Sequence, residues 1–384
     1  MRTASKTRTR KTRTSKKKSR RPPSMTMRGP RTTRLLPQRS PMTRLKGAAE
    51  PLAAAYDQAL LDLDGVVYLL HEPIPEAAAT VAALPGLACA PVFVTNNASR
   101  SPETVAEALR GMDIQAKASQ VLTSAQVVAS GICQHIGEDG TVLVTGSAAL
   151  RAAVEDEGME ITDDPKAADA VAFGYTPTTT WRDLADVTIA VRNGAFWATA
   201  NLDATLPTPD GPLPGMGALV GAVATALGRG PDMVAGKPEL PIYQAALERK
   251  RGGRAIMVGD RPDSDIEGAN RVGIDSLLVF TGVASPRFAL SLPPEQRPTH
   301  LGWSLAALTE THTAPQWDTS GEAVLCGGWA VALEKGAMVL SGSGDSLDGW
   351  RALCEFSWAL NDESKSERQF ELRPIGPAAE KLLE

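Results

Sequence analysis

The chain has 384 residues, enough for two or three domains, and its 43% hydrophobic and 22% charged composition is that of a globular protein. No apolar run reaches the roughly 20 residues of a membrane-crossing helix, and no apolar stretch follows the basic start, which argues against a membrane span and a secretory signal. Four widely spaced cysteines, Cys89, Cys133, Cys326 and Cys354, form no C-x-x-C pair, so neither a disulfide scaffold nor a zinc site is expected, and a reducing cytoplasm fits.

Residues 1–46 carry 17 Lys and Arg and no Asp or Glu, which leaves 23 basic against 44 acidic residues for the remainder. So polar a segment buries too little apolar surface to offset the entropy of ordering, and disorder is expected. It reads either as an arm for an anionic partner or as a dispensable tail ahead of an alternative start at Met42. No aromatic residue interleaves the cations, so nucleic acid is the disfavoured partner.

From residue 56 short apolar runs alternate with helical stretches. "YDQALLDLDGVVY" reads as a buried strand, "EAAATVAALP" as a helix, and "CAPVFVTNN" as a second strand. "SPETVAEALRGM" reads as a helix with Ser101 as its N-cap and Pro102 at its first position. The middle repeats the grammar: strands "TVLVTGS", "AVAFGY" and "AFWATA", with helices "AALRAAVEDEG" and "WRDLADVTIAVRNG" between them. The Gly/Pro-rich 206–217 reads as a connection between domains. Alternation resumes with "ALVGAVATALG", "PIYQAALERK", the strand "RAIMVGD", the helix "SDIEGANRVG" and the strand "SLLVFTG". A tail from about 303 offers strands "EAVLCGGWAVALE" and "GAMVLSGSG" and a helix "LDGWRALCEFSWAL". Alternating strands and helices predict an α/β fold with a doubly wound parallel sheet.

Candidate functional groups recur where such strands end. Asp62 and Asp64 close the first strand, Thr95, Asn96 and Asn97 the second. Lys237 precedes a helix, and Asp260, with Asp263 and Asp265, follows "IMVG". In an open parallel sheet, ligands bind outside the carboxyl ends of the strands. Carboxylates gathered there repel unless a cation neutralises them, and an all-oxygen set favours a hard ion such as Mg2+. A lysine, a hydroxyl and backbone N–H groups suit a phosphoryl group. One carboxylate can then act as nucleophile and a second, two residues on, as general acid and base. Taken singly, each piece has a plainer reading: a turn at D-x-D-G, a capped turn at T-N-N, a surface lysine, and N-caps at Ser264 or Asp265.

Together, "DLDGVVY", "VTNNASRS", "GKPELPIY" and "VGDRPDSDIEGANRVG" resemble the four motifs of the haloacid dehalogenase-like hydrolases. The likeness covers residues 56–285 and is strongest to the subfamily whose cap is inserted between the second and third motifs. It implies a Rossmann-like core at 47–120 and 214–300, an inserted α/β cap at 121–213, and a small α+β module at 301–384. It implies Asp62 as nucleophile forming an aspartyl-phosphate and Asp64 as general acid/base, whose carbonyl reaches Mg2+. Thr95, Asn96 and Asn97 would hold the phosphoryl group, and Lys237 would orient and neutralise both Asp62 and the phosphate. Asp62, Asp64, Asp260 and Asp265 would serve Mg2+. Pro262 and Ser264 stand where the family usually has Leu and Thr. Asn201 and Asp203, on the return from cap to core, would face the cleft, with an Asx-turn as the plainer alternative.

Actinobacterial members share this plan and a tail resembling part of an acetyltransferase fold, although the tail here has no convincing acetyl-CoA-binding loop. They imply a small phosphomonoester as substrate, glycerol 3-phosphate first, in the recycling of glycerophospholipid headgroups. 2-Phosphoglycolate, pyridoxal phosphate and a nucleotide monophosphate are the rivals. Few cap aromatics are available to stack a ring, and Tyr175 and Trp181 read as core. Similar proteins dimerise through the cap, so the resemblance allows a homodimer. The reading from another class is a nucleic-acid-associated protein acting through the basic arm.

Overall fold

The strand Gln58–Leu61 is buried along its whole length, as an apolar run between two parallel neighbours must be. In this computed structural model, which describes residues 45–384 except 71, 207, 209 and 365–369, it is the centre of a six-stranded sheet. Ala90–Thr95 and then Val121–Thr123 lie on one side of it. Ala255–Gly259, Asp275–Val279 and His300–Gly302 lie on the other, and every pairing is parallel. All carboxyl ends therefore face the same way. The basic segment expected at the N-terminus lies outside the described residues as far as residue 44. Leu45 is buried against the core, and Lys46 bonds Asp275 at 2.6 Å.

The helices form where the local chemistry directs. Ser101 accepts the Thr104 N–H at 3.2 Å with Pro102 at the first position of Pro102–Arg110. In "TSAQ", Thr123 and Gln126 form a reciprocal capping box that starts the helix Ser124–Ile136.

A second parallel sheet has the order Met233–Val234, Phe196–Thr199, Ala170–Phe173, Thr141–Thr145, Glu160–Thr162. It does not coincide with the expected segment 121–213. Val121–Thr123 completes the first sheet, whereas Met233–Val234 pairs with Phe196–Thr199. The helix Met216–Leu227 also belongs here, because Met216, Val220 and Val223 pack against Val171, Phe173 and Trp197. The Gly/Pro-rich stretch thus forms a small hairpin, Thr205–Leu206 with Leu213–Pro214, and the chain crosses back only after Val234. Trp181, read as core from its bulk, is 78% exposed at the first position of the helix Trp181–Arg192, whose inward face carries Val187, Ala190 and Val191 instead.

The C-terminal module is a mixed sheet. Gln316–Trp317, Ala323–Cys326, Trp329–Glu334 and Ala337–Gly342 run antiparallel, and Leu372–Ile375 joins parallel after the helix Ser346–Ser364. "EAVLCGGWAVALE" is two strands, not one, since Gly327 and Gly328 turn the chain at φ +51° and +88°. Among the described residues no helix is long and apolar enough to cross a membrane.

Candidate active site

Asp62 directly follows the first core strand and keeps its backbone in register by donating to the Val258 carbonyl at 2.9 Å. Leu63 then turns into the core, and Gly65, at φ +84°, lets the chain reverse. Thr95 is the last residue of the neighbouring strand, and Asp260 follows the strand Ala255–Gly259 on the other side. Strand order alone therefore brings three chemistry-bearing positions to one edge.

Lys237 arrives from the crossover and is 4% exposed. Its Nζ lies 2.6 Å from Asp62 and 2.8 Å from Asp265, with the Val94 carbonyl at 3.5 Å. Burial alone would lower its pKa, but Asp265 and Asp62 reverse that and hold the ammonium charged. Asn96 fixes the lysine's backbone: it accepts the Lys237 N–H at 2.7 Å and donates to the Lys237 carbonyl at 3.0 Å. The Asn96 carbonyl in turn accepts from Asn201 at 2.8 Å and from Ser124 at 2.6 Å.

Oxygens of Asp62, Asp260 and Asp265 lie within 4.8 Å of one another. Burial, then the neighbouring carboxylates, push Asp260 up to about 7. Burial likewise pushes Asp265 up to about 6, although Lys237 opposes it. Oδ2 of Asp260 accepts the Val283 N–H at 2.7 Å, while Oδ1 is buried with no hydrogen-bond donor. Three carboxylates against one lysine leave two net negative charges when all are ionised. The donors are all oxygen, and one buried oxygen lacks a partner. These features fit a hard divalent ion such as Mg2+. When bound, it neutralises the carboxylates and draws charge from phosphoryl oxygens.

The other expected residues divide. Asp64 is exposed at the rim beyond Asp62. Asn201 and Asp203 are drawn to the site: the Asn201 amide donates to the Asn96 carbonyl at 2.8 Å, and its Oδ1 accepts the Asp203 N–H at 3.0 Å, as an Asx turn does. Asp203 accepts from Asn96 at 3.2 Å, and burial raises its pKa. The Asn97 side chain instead closes a turn on Ser99, accepting its N–H at 2.7 Å. Ser264 and Asp265 are not N-caps: Pro262–Ile266 forms a π-turn leading into Glu267–Val272, and Asp265 is buried against Lys237.

Three residues at the site escaped the sequence reading. The Tyr68 hydroxyl is pushed up to about 12 by burial and by Asp64 and Asp62. Val283 donates to Asp260 from a loop with no charged residue to signal it. Arg261, forked on Asp263 at 3.0–3.2 Å, borders a polar cavity of about 260 Å3. Leu202, Asp203, Thr205, Lys237 and Ser264 also line it.

Comparison with known proteins agrees with this geometry. Residues 59–160 match the haloacid dehalogenase-like hydrolase family, and 234–308 match a second family described as HAD-hydrolase-like. Residues 326–384 match a GCN5-related N-acetyltransferase like domain. The D-glycerol 3-phosphate phosphatase of Mycobacterium tuberculosis is 39% identical over 305 residues, 77% of this chain and 82% of that protein. An acid sugar phosphatase of Staphylococcus haemolyticus is 36% identical over 64% of this chain and 92% of its own. The crystal structure of a glycerol phosphate phosphatase from M. tuberculosis in complex with magnesium superposes with a TM-score of 0.77 at 35% identity. It covers 87% of this chain and 98% of that one.

Proposed function

The chain belongs to the haloacid dehalogenase-like hydrolases and is a phosphoric monoester hydrolase of that type; from this we propose that its substrate is glycerol 3-phosphate. The observation that carries the choice is the likeness to the M. tuberculosis enzyme, which extends through 82% of that protein.

In this reading Asp62 attacks phosphorus and the bond to the glycerol oxygen breaks. Asp64 gives its proton to the leaving oxygen. Water deprotonated by Asp64 then attacks the aspartyl-phosphate, which releases phosphate and restores both carboxyl groups. Thr95 and the Asn96 N–H hold the phosphoryl oxygens, and Lys237, 2.6 Å from Asp62, aims its carboxylate. Asp62, the Asp64 carbonyl and Asp260 would hold the metal, with Asp265 fixing Lys237 and supporting Asp260. Asn201 and Asp203 position Asn96. Asn97, whose side chain serves the Ser99 turn, is assigned no contact with phosphate. The product class, glycerol and phosphate, is that of glycerophospholipid headgroup recycling, and a reducing cytoplasm suits four unpaired cysteines.

The test is kcat/KM on a panel of glycerol 3-phosphate, 2-phosphoglycolate, pyridoxal phosphate, a sugar phosphate and a nucleoside monophosphate. Glycerol 3-phosphate should lead by at least about tenfold, roughly 1.4 kcal/mol of transition-state discrimination. A lead for another ester moves the substrate and leaves the chemistry in place.

A further inference from the structure

The loop that orients Asp260 is itself anchored from the C-terminal module. Val283 donates to Asp260 Oδ2 at 2.7 Å and Ala284 to the Asp260 carbonyl at 3.1 Å. Thr281 ties the same loop to the Gly65 carbonyl at 2.5 Å. Gly282 passes so close that a Cβ there would overlap the Asp260 carboxylate. The loop continues into the short helix Pro286–Ala289, started by Ser285.

That helix ends on two carbonyls, and both are taken by one helix of the C-terminal module. Trp358 Nε1 donates to Ala289 at 2.8 Å, and Ser357 Oγ donates to Leu290 at 2.8 Å. Arg287 reaches the Leu383 carbonyl. Ala284 and Ala289 share a buried cluster with Leu347, Cys354 and Trp358, and Ile266, the residue after Asp265, lies in it too. Arg351 adds a bond to the Leu301 carbonyl at 3.0 Å, and Arg297 stands over the Trp358 ring while pairing with Asp362. The helix Ser346–Ser364 therefore touches the flanks of both carboxylates, Asp260 through 281–290 and Asp265 through Ile266.

We propose that Ser357 and Trp358 are positioning residues for the metal site, so that the acetyltransferase-like module acts as a brace that sets divalent-ion affinity. A metal-ligating carboxylate must be held to a fraction of an ångström, and groups behind the ligands fix it there. Losing such support in metal sites costs on the order of 10–100-fold in affinity. Two hydrogen bonds, made to carbonyls five and six residues along the chain from Ala284, set the expectation at the low end of that range. The inference rests on Asp260 and Asp265 serving the metal.

The test is Mn2+ binding to the full chain followed by electron paramagnetic resonance, with Mg2+ competition. The variants are Ser357→Ala, Trp358→Phe and the double variant, which delete one or both bonds, with Trp358→Phe also shortening a buried ring. The double variant should bind Mn2+ about tenfold more weakly. Its KM for the phosphate ester at saturating Mg2+ should be unchanged. Asp260→Asn is the control. If it binds Mn2+ as tightly as the native chain, the metal-site reading itself fails. If Asp260→Asn loses the ion but the folded double variant binds like the native chain, only the brace is wrong.

A reciprocal measurement needs no variant. Coupling between two sites is mutual, so Mg2+ should slow hydrogen exchange in Ser346–Ser364. Unchanged exchange there, with Val283 and Ala284 protected, would overturn the proposal.

Discussion

Replacing Lys237 by Met is the most informative single change, because its cost should depend on pH in a direction the structure fixes. The methionine keeps the volume and removes the ammonium 2.6 Å from Asp62 and 2.8 Å from Asp265. Deleting one partner of a buried pair costs about 3–5 kcal/mol when the orphaned charge cannot escape. Here it can escape by taking up a proton. Asp260 and Asp265 already stand at about 7 and about 6 with the lysine present. In metal-free native protein at about pH 8 Asp260 and Asp265 are ionised, and the variant should lose about 3–5 kcal/mol. At about pH 5 both are already protonated before the lysine is removed, so the loss should be smaller by the share of the Asp265 pair. Urea unfolding in EDTA at the two pH values measures the difference. Turnover with saturating Mg2+ should fall by about 10²–10³. An equal loss of stability at both pH values would refute the electrostatic account of Lys237, and near-normal turnover would remove it from the chemistry.

Four further expectations follow from the same geometry. Both carboxyl pKa values are raised above the unfolded value, so metal-free protein binds protons that the unfolded chain releases, and its stability falls as pH rises through about 4–7. Mg2+ competes with those protons, so its stabilising shift in Tm should be larger at about pH 8 than at about pH 5.5; a shift independent of pH would contradict this. Gly282→Ala should displace the Asp260 carboxylate and weaken Mg2+ activation, at a stability cost of about 1–3 kcal/mol from overpacking, and an unchanged Mg2+ titration would show the loop has room to yield. Asn96→Ala deletes two bonds to the Lys237 backbone and one to Asp203, so unfolding free energy should drop by about 2–3 kcal/mol and activity with it; full activity would make Asn96 dispensable. Far from the site, burial holds His300 down at about 3 and His312 at about 4, below the unfolded 6.5. Below about pH 6.5 the unfolded chain gains protons these residues refuse, which costs about 2 kcal/mol per histidine at about pH 5. His300→Gln should flatten that decline, and an unaltered pH profile would exclude it as the source.

The centre of the site could be read in the sequence because each residue sits at the end of a short apolar run. Asp62, Thr95 and Asp260 end three adjacent parallel strands, and parallel strands put such ends on one side. The α/β class followed from the same alternation. What supports these residues could not be read, because backbone supplies it. Val283 and Ala284 act through N–H groups, which leave no trace in residue identity. The role of Asn96 as the tie between Lys237 and the 201–203 segment depends on two distant parts of the chain meeting. The glycines and prolines of 206–217 signal a break between domains, yet the helix Met216–Leu227 and Met233–Val234 stay with the second sheet. The apolar face of Met216, Val220 and Val223 finds its match there, and tertiary packing overrode the local break signal.

The central claim is that Asp62 takes the phosphoryl group in a Mg2+-dependent hydrolysis. Phosphate release from glycerol 3-phosphate, by native protein and by Asp62→Asn, each with Mg2+ and with EDTA, tests it most directly. The account predicts release by the native protein with Mg2+ alone, and background rates in the other three samples while the variant stays folded and still binds Mn2+. Substantial release by folded Asp62→Asn, or native release undiminished by EDTA, would contradict it.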